Sequence, residues 1–278
     1  MPEDLLERTP PKADYRLKYG PLDLQFGDLR LPAAVAGQAA PVVVFLHGGW
    51  WKAKYGLDYG GHLCDALKHR GIATWSLEYR RVGDAGGGWP GTFLDVAAGF
   101  DALAGLAAKY RLDLSRVVVA GHSAGGHLAF WLAGRHHLAA HGELAPASTP
   151  KVAIKGVVGL AGAVDLRLVI ELAGWFTYAH DKDEVIALMG GSPAKVPDRY
   201  TAGNPGDLIP LNVPQWLLQG TEDDQIPPAL PGRWAERGRR AGEKVVVEML
   251  AGADHFDVVD PRSKAWPAVL RTIEQALR

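Results

Sequence analysis

Six apolar runs, each the length of a strand, recur along this chain with helix-length segments between them. That alternation restricts the possible folds more than any other feature. The runs lie at 41–46, 72–77, 116–120, 154–160, 213–218 and 244–250. A strand that is apolar on both faces needs both faces covered, as in a parallel sheet flanked by helices. The intervening segments carry helical spacing. Residues 58–70 stop at Gly71, where a helix commonly ends on glycine. Residues 92–110 set Phe93, Val96, Phe100, Leu103 and Ala107 on one face. Residues 124–137, 228–241 and 263–277 complete the set. Upstream, Leu22, Leu24 and Phe26 have period 2, followed by Leu29 and Leu31, the pattern of an opening antiparallel hairpin or meander.

The expectation is a single α/β domain over 1–278, doubly wound, with a mostly parallel sheet of about eight strands and helices on both faces. Residues 165–212 depart from the rhythm. They hold helix-prone sequence at 165–173 and 181–189 with Gly and Pro but no strand run. A small helical insertion over the sheet's edge, part of a lid, is expected there. The glycine-rich loop 83–90 falls on the C-terminal rim of the sheet, where sites form.

Composition removes several classes of function. With 278 residues, 47% hydrophobic and 22% charged, the chain has ample apolar surface to offset the entropy of ordering. Thirty Lys and Arg face 31 Asp and Glu, so no basic excess exists to neutralise a nucleic-acid backbone. The single cysteine, Cys64, cannot form an internal disulfide and reads as a small buried hydrophobe. The longest apolar stretches, such as 42–46, are strand-sized, and a membrane helix needs ~20 residues. The acidic start Met1-Pro-Glu-Asp-Leu-Leu-Glu-Arg has no apolar leader segment. No membrane span and a cytoplasmic location are expected.

The strongest chemical signal is Gly121-His122-Ser123-Ala124-Gly125, set between the run 116–120 and the helical pattern 124–137. Strand, sharp turn and helix in that order raise a serine oxygen above the sheet, and the glycines admit the strained backbone this requires. Serine needs a base and a group that orients the base. His255 is the one histidine beyond the run 213–218, and it follows the last strand on a glycine-containing loop. An orienting acid is expected after 213–218, where Glu222, Asp223 and Asp224 stand together and chemistry alone does not choose. Acyl transfer also needs donors for an oxyanion. The amide of Ala124 is one, and the loop Leu46-His47-Gly48-Gly49-Trp50-Trp51 supplies candidates in Gly49, Trp50 and Gly48. His47 reads as a hydrogen-bonded structural histidine, and Trp50 and Trp51 as walls of an acyl or aryl pocket. His127 is expected to pack beneath the turn. His136, His137 and His141 have helical spacing but no acidic or cysteine partner, so no metal site and no cofactor are expected.

The chain resembles the α/β-hydrolase superfamily, nearest the esterase/lipase group that includes kynurenine formamidases. The likeness covers nearly everything from Leu22 onward. It rests on His47-Gly48-Gly49-Trp50-Trp51 for His-Gly-Gly-x-Trp, on Gly121 to Gly125 for Gly-x-Ser-x-Gly, and on Gly220, Asp223, Ile226 and Pro227 for the acid loop, with Ile in place of Val. The resemblance favours Asp223 as the acid. It implies a Ser123–His255–Asp223 triad, an acyl-enzyme and a small-molecule ester or formamide substrate. A carboxylesterase acting on short-chain or aryl esters is the favoured expectation. N-formylkynurenine formamide hydrolysis is the alternative, and a non-catalytic ligand-binding homologue a minor one. Activity should fall as pH drops through the range where histidine gains its proton, ordinarily ~6.5.

Overall fold

All six apolar runs become strands, and the reason they lack alternation is visible in where their side chains go. In the computed structural model, which describes residues 3–33, 38–138, 142–145, 152–173 and 181–278, the strands form one sheet. They are β1 (Tyr15–Lys18), β2 (Phe26–Arg30), β3 (Ala40–Leu46), β4 (Ala73–Leu77), β5 (Leu112–His122), β6 (Gly156–Leu160), β7 (Gln215–Gly220) and β8 (Val245–Leu250). The eight strands lie in the order β1-β2-β4-β3-β5-β6-β7-β8. Only the pairings of β2 with β1 and with β4 are antiparallel; the rest are parallel.

On β3, Val42, Val44 and Leu46 enter one core while Val43 and Phe45 enter the other. On β5, Val117 and Val119 divide from Val118 and Ala120 in the same way. One face is covered by α1 (Glu3–Glu7), α2 (Gly61–Lys68) and α10 (Trp266–Ala276), through residues such as Leu5, Leu63 and Ile273. The other is covered by α3 (Gly91–Asp101), α4 (Leu103–Tyr110), α5 (Ala124–Gly134) and α9 (Ala229–Arg240). Every residue of α5 is buried, and all but His127 are apolar or glycine, as suits a central helix.

Several expectations need correction. The period-2 pattern at Leu22 and Leu24 is not strand: those residues lie in the β1–β2 connection, opened by Gly20-Pro21 and closed by backbone bonds between Gln25 and both Tyr19 and Leu22. The helical stretch 92–110 is two helices meeting at Ala102. It is also helix-length as an apolar segment: Gly91–Tyr110 spans 20 residues at a mean hydropathy of 1.3 and suffices by length and composition to cross a membrane. The reading that apolar stretches are all strand-sized overlooked it, because small residues separate its large ones. Here Phe93, Val96, Phe100 and Leu103 pack into the core beside the sheet.

The described residues between 165 and 212 include α6 (Leu166–Leu172), α7 (Asp181–Met189), α8 (Pro197–Gly203) and a short 3₁₀ turn, Pro205–Leu208. Val185, Leu188, Met189 and Tyr200 belong to the main core, and Trp131 and His127 donate to the carbonyls of Ala202 and Gly203. The described part of this insertion is packed onto α5, and none of it lines the cavity over Ser123. The glycine-rich loop 83–90 also stays away from that cavity; Trp89 N–H is held by the Leu188 carbonyl at 2.8 Å.

Candidate active site

Strand β5 ends at His122, α5 begins at Ala124, and the turn between them consists of Ser123 alone. Its backbone sits at φ 54°, ψ −121°, a conformation that costs a non-glycine residue energy and persists only where the surroundings enforce it. The enforcement is explicit. Ser123 N–H donates to the Leu160 carbonyl at 3.0 Å, and the Ser123 carbonyl accepts from Gly126 and Ala163 at 2.9 and 3.0 Å. Gly125 is required here by close approach: a Cβ on it would lie 2.1 Å from the Leu46 carbonyl oxygen and 2.4 Å from that of His47.

Asp223 follows β7 and is the acid that reaches His255. The Nδ1–H of His255 donates to Asp223 Oδ2 at 2.8 Å, with both side chains enclosed. Gln219 Nε2 donates to the same oxygen at 2.7 Å, and the amides of Gln225 and Ile226 each donate to Oδ1 at 2.8 Å. Burial alone would raise the Asp223 pKa. The neighbouring His255 and these donors outweigh burial and hold it below the ordinary carboxylate value. Glu222 and Asp224 on either side of it are exposed, whereas Asp223 is buried against His255. The acid and histidine loops meet at Gly220, where an added Cβ would fall 2.2 Å from the Ala253 carbonyl oxygen. His255 and Ser123 line one cavity of about 210 Å³ together with Leu6, Gly49, Trp50, Tyr55, Tyr59, His122, Gln225 and Phe256.

Beside Ser123 runs the loop after β3. Gly49, Trp50 and Trp51 take φ of 102°, 51° and 55°, three successive residues in the left-handed region. Among the described residues nothing accepts from the amides of Gly49, Trp50 or Ala124, so these are the donors left for a ligand. Gly48 is different and must be removed from the set of oxyanion donors: its N–H is consumed by the Tyr59 hydroxyl at 2.5 Å. Trp51 is a second correction. Its side chain is wholly buried, edge-on to His127 at 5.3 Å, and does not touch the cavity. Adjacent residues in this contorted loop point apart, so Trp50 reaches the rim while Trp51 enters the core. His47 is fully enclosed, with Nε2 2.9 Å from Glu78 Oε1, Nδ1 2.8 Å from the Gly48 carbonyl and its ring stacked on Tyr79.

His127 lies under the turn as expected, and burial lowers its pKa to about 4. Cys64 is buried in the second core, where burial raises its thiol pKa to about 11. His136 and His137 are tied to the carbonyls of Ala133 and Pro210, while His141 lies outside the described residues. No cluster of three or more His, Cys, Asp or Glu suited to a metal occurs among the described residues.

Sequence reasoning missed Tyr55, Tyr59, Gln225, Phe256, Leu6 and the role of His122. Only His122 carried a signal, its place directly before Ser123. The rest reach the cavity from separate loops and from α1.

A mostly parallel eight-stranded sheet with helices on both faces, and a strained serine at the strand–helix turn of β5, defines the α/β-hydrolase class. Residues 28–232 match the BD-FAE family, and the chain belongs to that family. It is 26% identical over 235 residues to a probable isoprenylcysteine alpha-carbonyl methylesterase, ICMEL1, of Arabidopsis thaliana, covering 83% of this chain and 48% of that protein. It is 27% identical over 272 residues to Esterase LipC of Mycobacterium tuberculosis, covering 91% of this chain and 65% of that protein. The chain thus spans about half to two thirds of the length of these curated relatives. Among solved structures, Esterase B from Lactobacillus rhamnosis superposes with a TM-score of 0.80 at 20% identity, over 99% of this chain and 90% of that one. A truncated carbohydrate esterase from gut microbiota gives 0.78 at 19% identity, over 97% and 99%.

Proposed function

We propose that the chain is a serine hydrolase that cleaves small carboxylic esters, short-chain or aryl, through an acyl-enzyme on Ser123. One observation carries the reading. His255 is oriented by Asp223 through a buried 2.8 Å bond and opens onto the same cavity as the strained Ser123. With Nδ1–H committed to Asp223, the Nε2 lone pair of His255 is the group available to take the Ser123 proton. The serine oxygen then attacks the ester carbonyl, and the amides of Gly49, Trp50 and Ala124 receive the oxyanion, each donor contributing about 3–4 kcal/mol to the transition state. The imidazolium returns its proton to the leaving alcohol, and water repeats the sequence on the acyl-enzyme. Asp223, held ionised by its four donors, stabilises that imidazolium. The esterases among the relatives support the ester bond as substrate. A cavity of about 210 Å³ lined by Leu6, Trp50, Tyr55 and Phe256 suits a small apolar acyl or aryl group.

Parallel assays of p-nitrophenyl acetate and N-formylkynurenine test the substrate class. Ester turnover should dominate, and far faster formamide turnover would overturn the choice of ester. A fluorophosphonate should label Ser123 one-to-one, and Ser123→Ala should lower kcat by at least about 10⁴-fold. Folded wild-type protein that neither turns over ester nor takes the label would end the catalytic reading.

A further inference from the structure

We propose that Tyr59 and His122 act together as positioning residues, a buried strut that sets the spacing between the oxyanion loop and the loop carrying His255. The inference rests on the serine hydrolase reading above. Three bonds in series build the strut. Gly48 N–H donates to the Tyr59 hydroxyl at 2.5 Å, Tyr59 lies 2.8 Å from His122 Nδ1, and His122 Nε2 lies 3.0 Å from the His255 carbonyl.

The proton directions follow from the end groups. The His255 carbonyl can only accept, so His122 Nε2 must carry the hydrogen. Burial, reinforced by the neighbouring His255, keeps the His122 ring neutral, so Nδ1 is an acceptor. The Tyr59 hydroxyl then donates its proton to Nδ1 and accepts from Gly48. Every polar atom in the series is satisfied once, in one orientation only. Both side chains are buried, and burial raises the Tyr59 pKa, which keeps the phenol protonated.

The strut spans three elements that must agree in position. Gly48 starts the loop whose next two amides are the free donors. His122 is bonded covalently to Ser123. The His255 carbonyl belongs to the residue expected to act as base. The Tyr59, His122, His255 and Phe256 rings pack against one another along one wall of the cavity, with His122 and His255 centroids 4.6 Å apart. Neither Tyr59 nor His122 is needed as an acid, base or oxyanion donor. Their contribution is geometric, and a misplacement of about 1 Å at such a site costs on the order of 100-fold in rate.

Tyr59→Phe removes one oxygen and keeps the ring. It should lower kcat for p-nitrophenyl acetate by about 10- to 100-fold, leave KM within about twofold because the cavity walls remain, and slow fluorophosphonate labelling of Ser123 in proportion. His122→Phe should do the same, while His122→Gln, whose amide can both donate to the His255 carbonyl and accept from Tyr59, should recover most of the lost rate. If Tyr59→Phe folds and keeps wild-type kcat, or if His122→Gln is no better than His122→Phe, the strut is overturned. Should Tyr59→Phe fail to fold, the two His122 variants decide alone. Wild-type turnover with insensitive variants refutes the strut and leaves the hydrolase reading intact. A wild type inert to both ester and phosphonate removes both.

Discussion

At the scale of single residues, the site depends on places where there is no room for a side chain. Gly125 lets α5 start directly behind β3, and a methyl group there would press on two backbone oxygens that cannot rotate away. Gly125→Ala should therefore destabilise the fold by about 1–3 kcal/mol or more, and it should depress activity as well, because the carbonyls it would displace, those of Leu46 and His47, lead into the loop proposed to hold the oxyanion. Gly105 on α4 is the control. An added Cβ there meets nothing within 4 Å, so Gly105→Ala should stabilise by about 0.5–1 kcal/mol. Urea unfolding of both variants checks the pair, and equal midpoints would refute the steric account. The motif serine, its glycines and His255 were legible because the nucleophile and base proposed here come in the chain order, around strands, that such a fold requires. Choosing Asp223 from three adjacent carboxylates needed either the family spacing or the observed bond to His255. Gly48 and Trp51 were misassigned because a loop with three successive positive φ values has no period from which to read orientation.

Among whole elements, the N-terminal helix reaches the cavity, a placement that its sequence concealed. Leu5 of α1 is buried in the core beneath α2 and α10, Leu6 lines the cavity, and Arg8 is paired with Asp260 at 2.7 Å. The cover expected from residues 165–212 thus comes in part from α1. Removing residues 1–7 should widen the cavity and raise the ratio of p-nitrophenyl octanoate to p-nitrophenyl acetate turnover. A ratio unchanged from the full chain would show that α1 does not bound the acyl site. Strand and helix identities were readable wherever apolar runs were long. The false strand at Leu22 and Leu24 arose from chance alternation inside a turn, and the joint at Ala102 from a helical pattern that continues across it.

Over the whole molecule, two buried neutral histidines tie stability to pH. Burial lowers the pKa of His122 to about 3 and that of His127 to about 4, whereas an unfolded histidine titrates near ~6.5. Between those values the unfolded chain binds protons that the native state does not. Stability is therefore complete above about pH 6.5 and falls as pH drops, by about 1.4 kcal/mol per pH unit for each such histidine. Asp223 adds to this only at lower pH, since its depressed carboxyl gives stability that is lost as pH falls through its folded value. Urea unfolding at pH 7.5, 6 and 5 should show the decline, and His127→Gln should reduce the slope by about one proton's share. A slope that His127→Gln leaves unchanged would contradict a neutral buried His127.

The sequence by itself determined the doubly wound sheet, because strands apolar on both faces have no other stable cover. It also singled out Ser123 at the β5 turn as the expected nucleophile, because a serine between two glycines at a strand–helix junction has few structural uses. Tertiary structure alone decided which amides stay free, which tryptophan meets the cavity and how Tyr59, His122 and His255 lock together. Those outcomes depend on distances between segments remote in the chain, and no local pattern of residues encodes a distance of that kind.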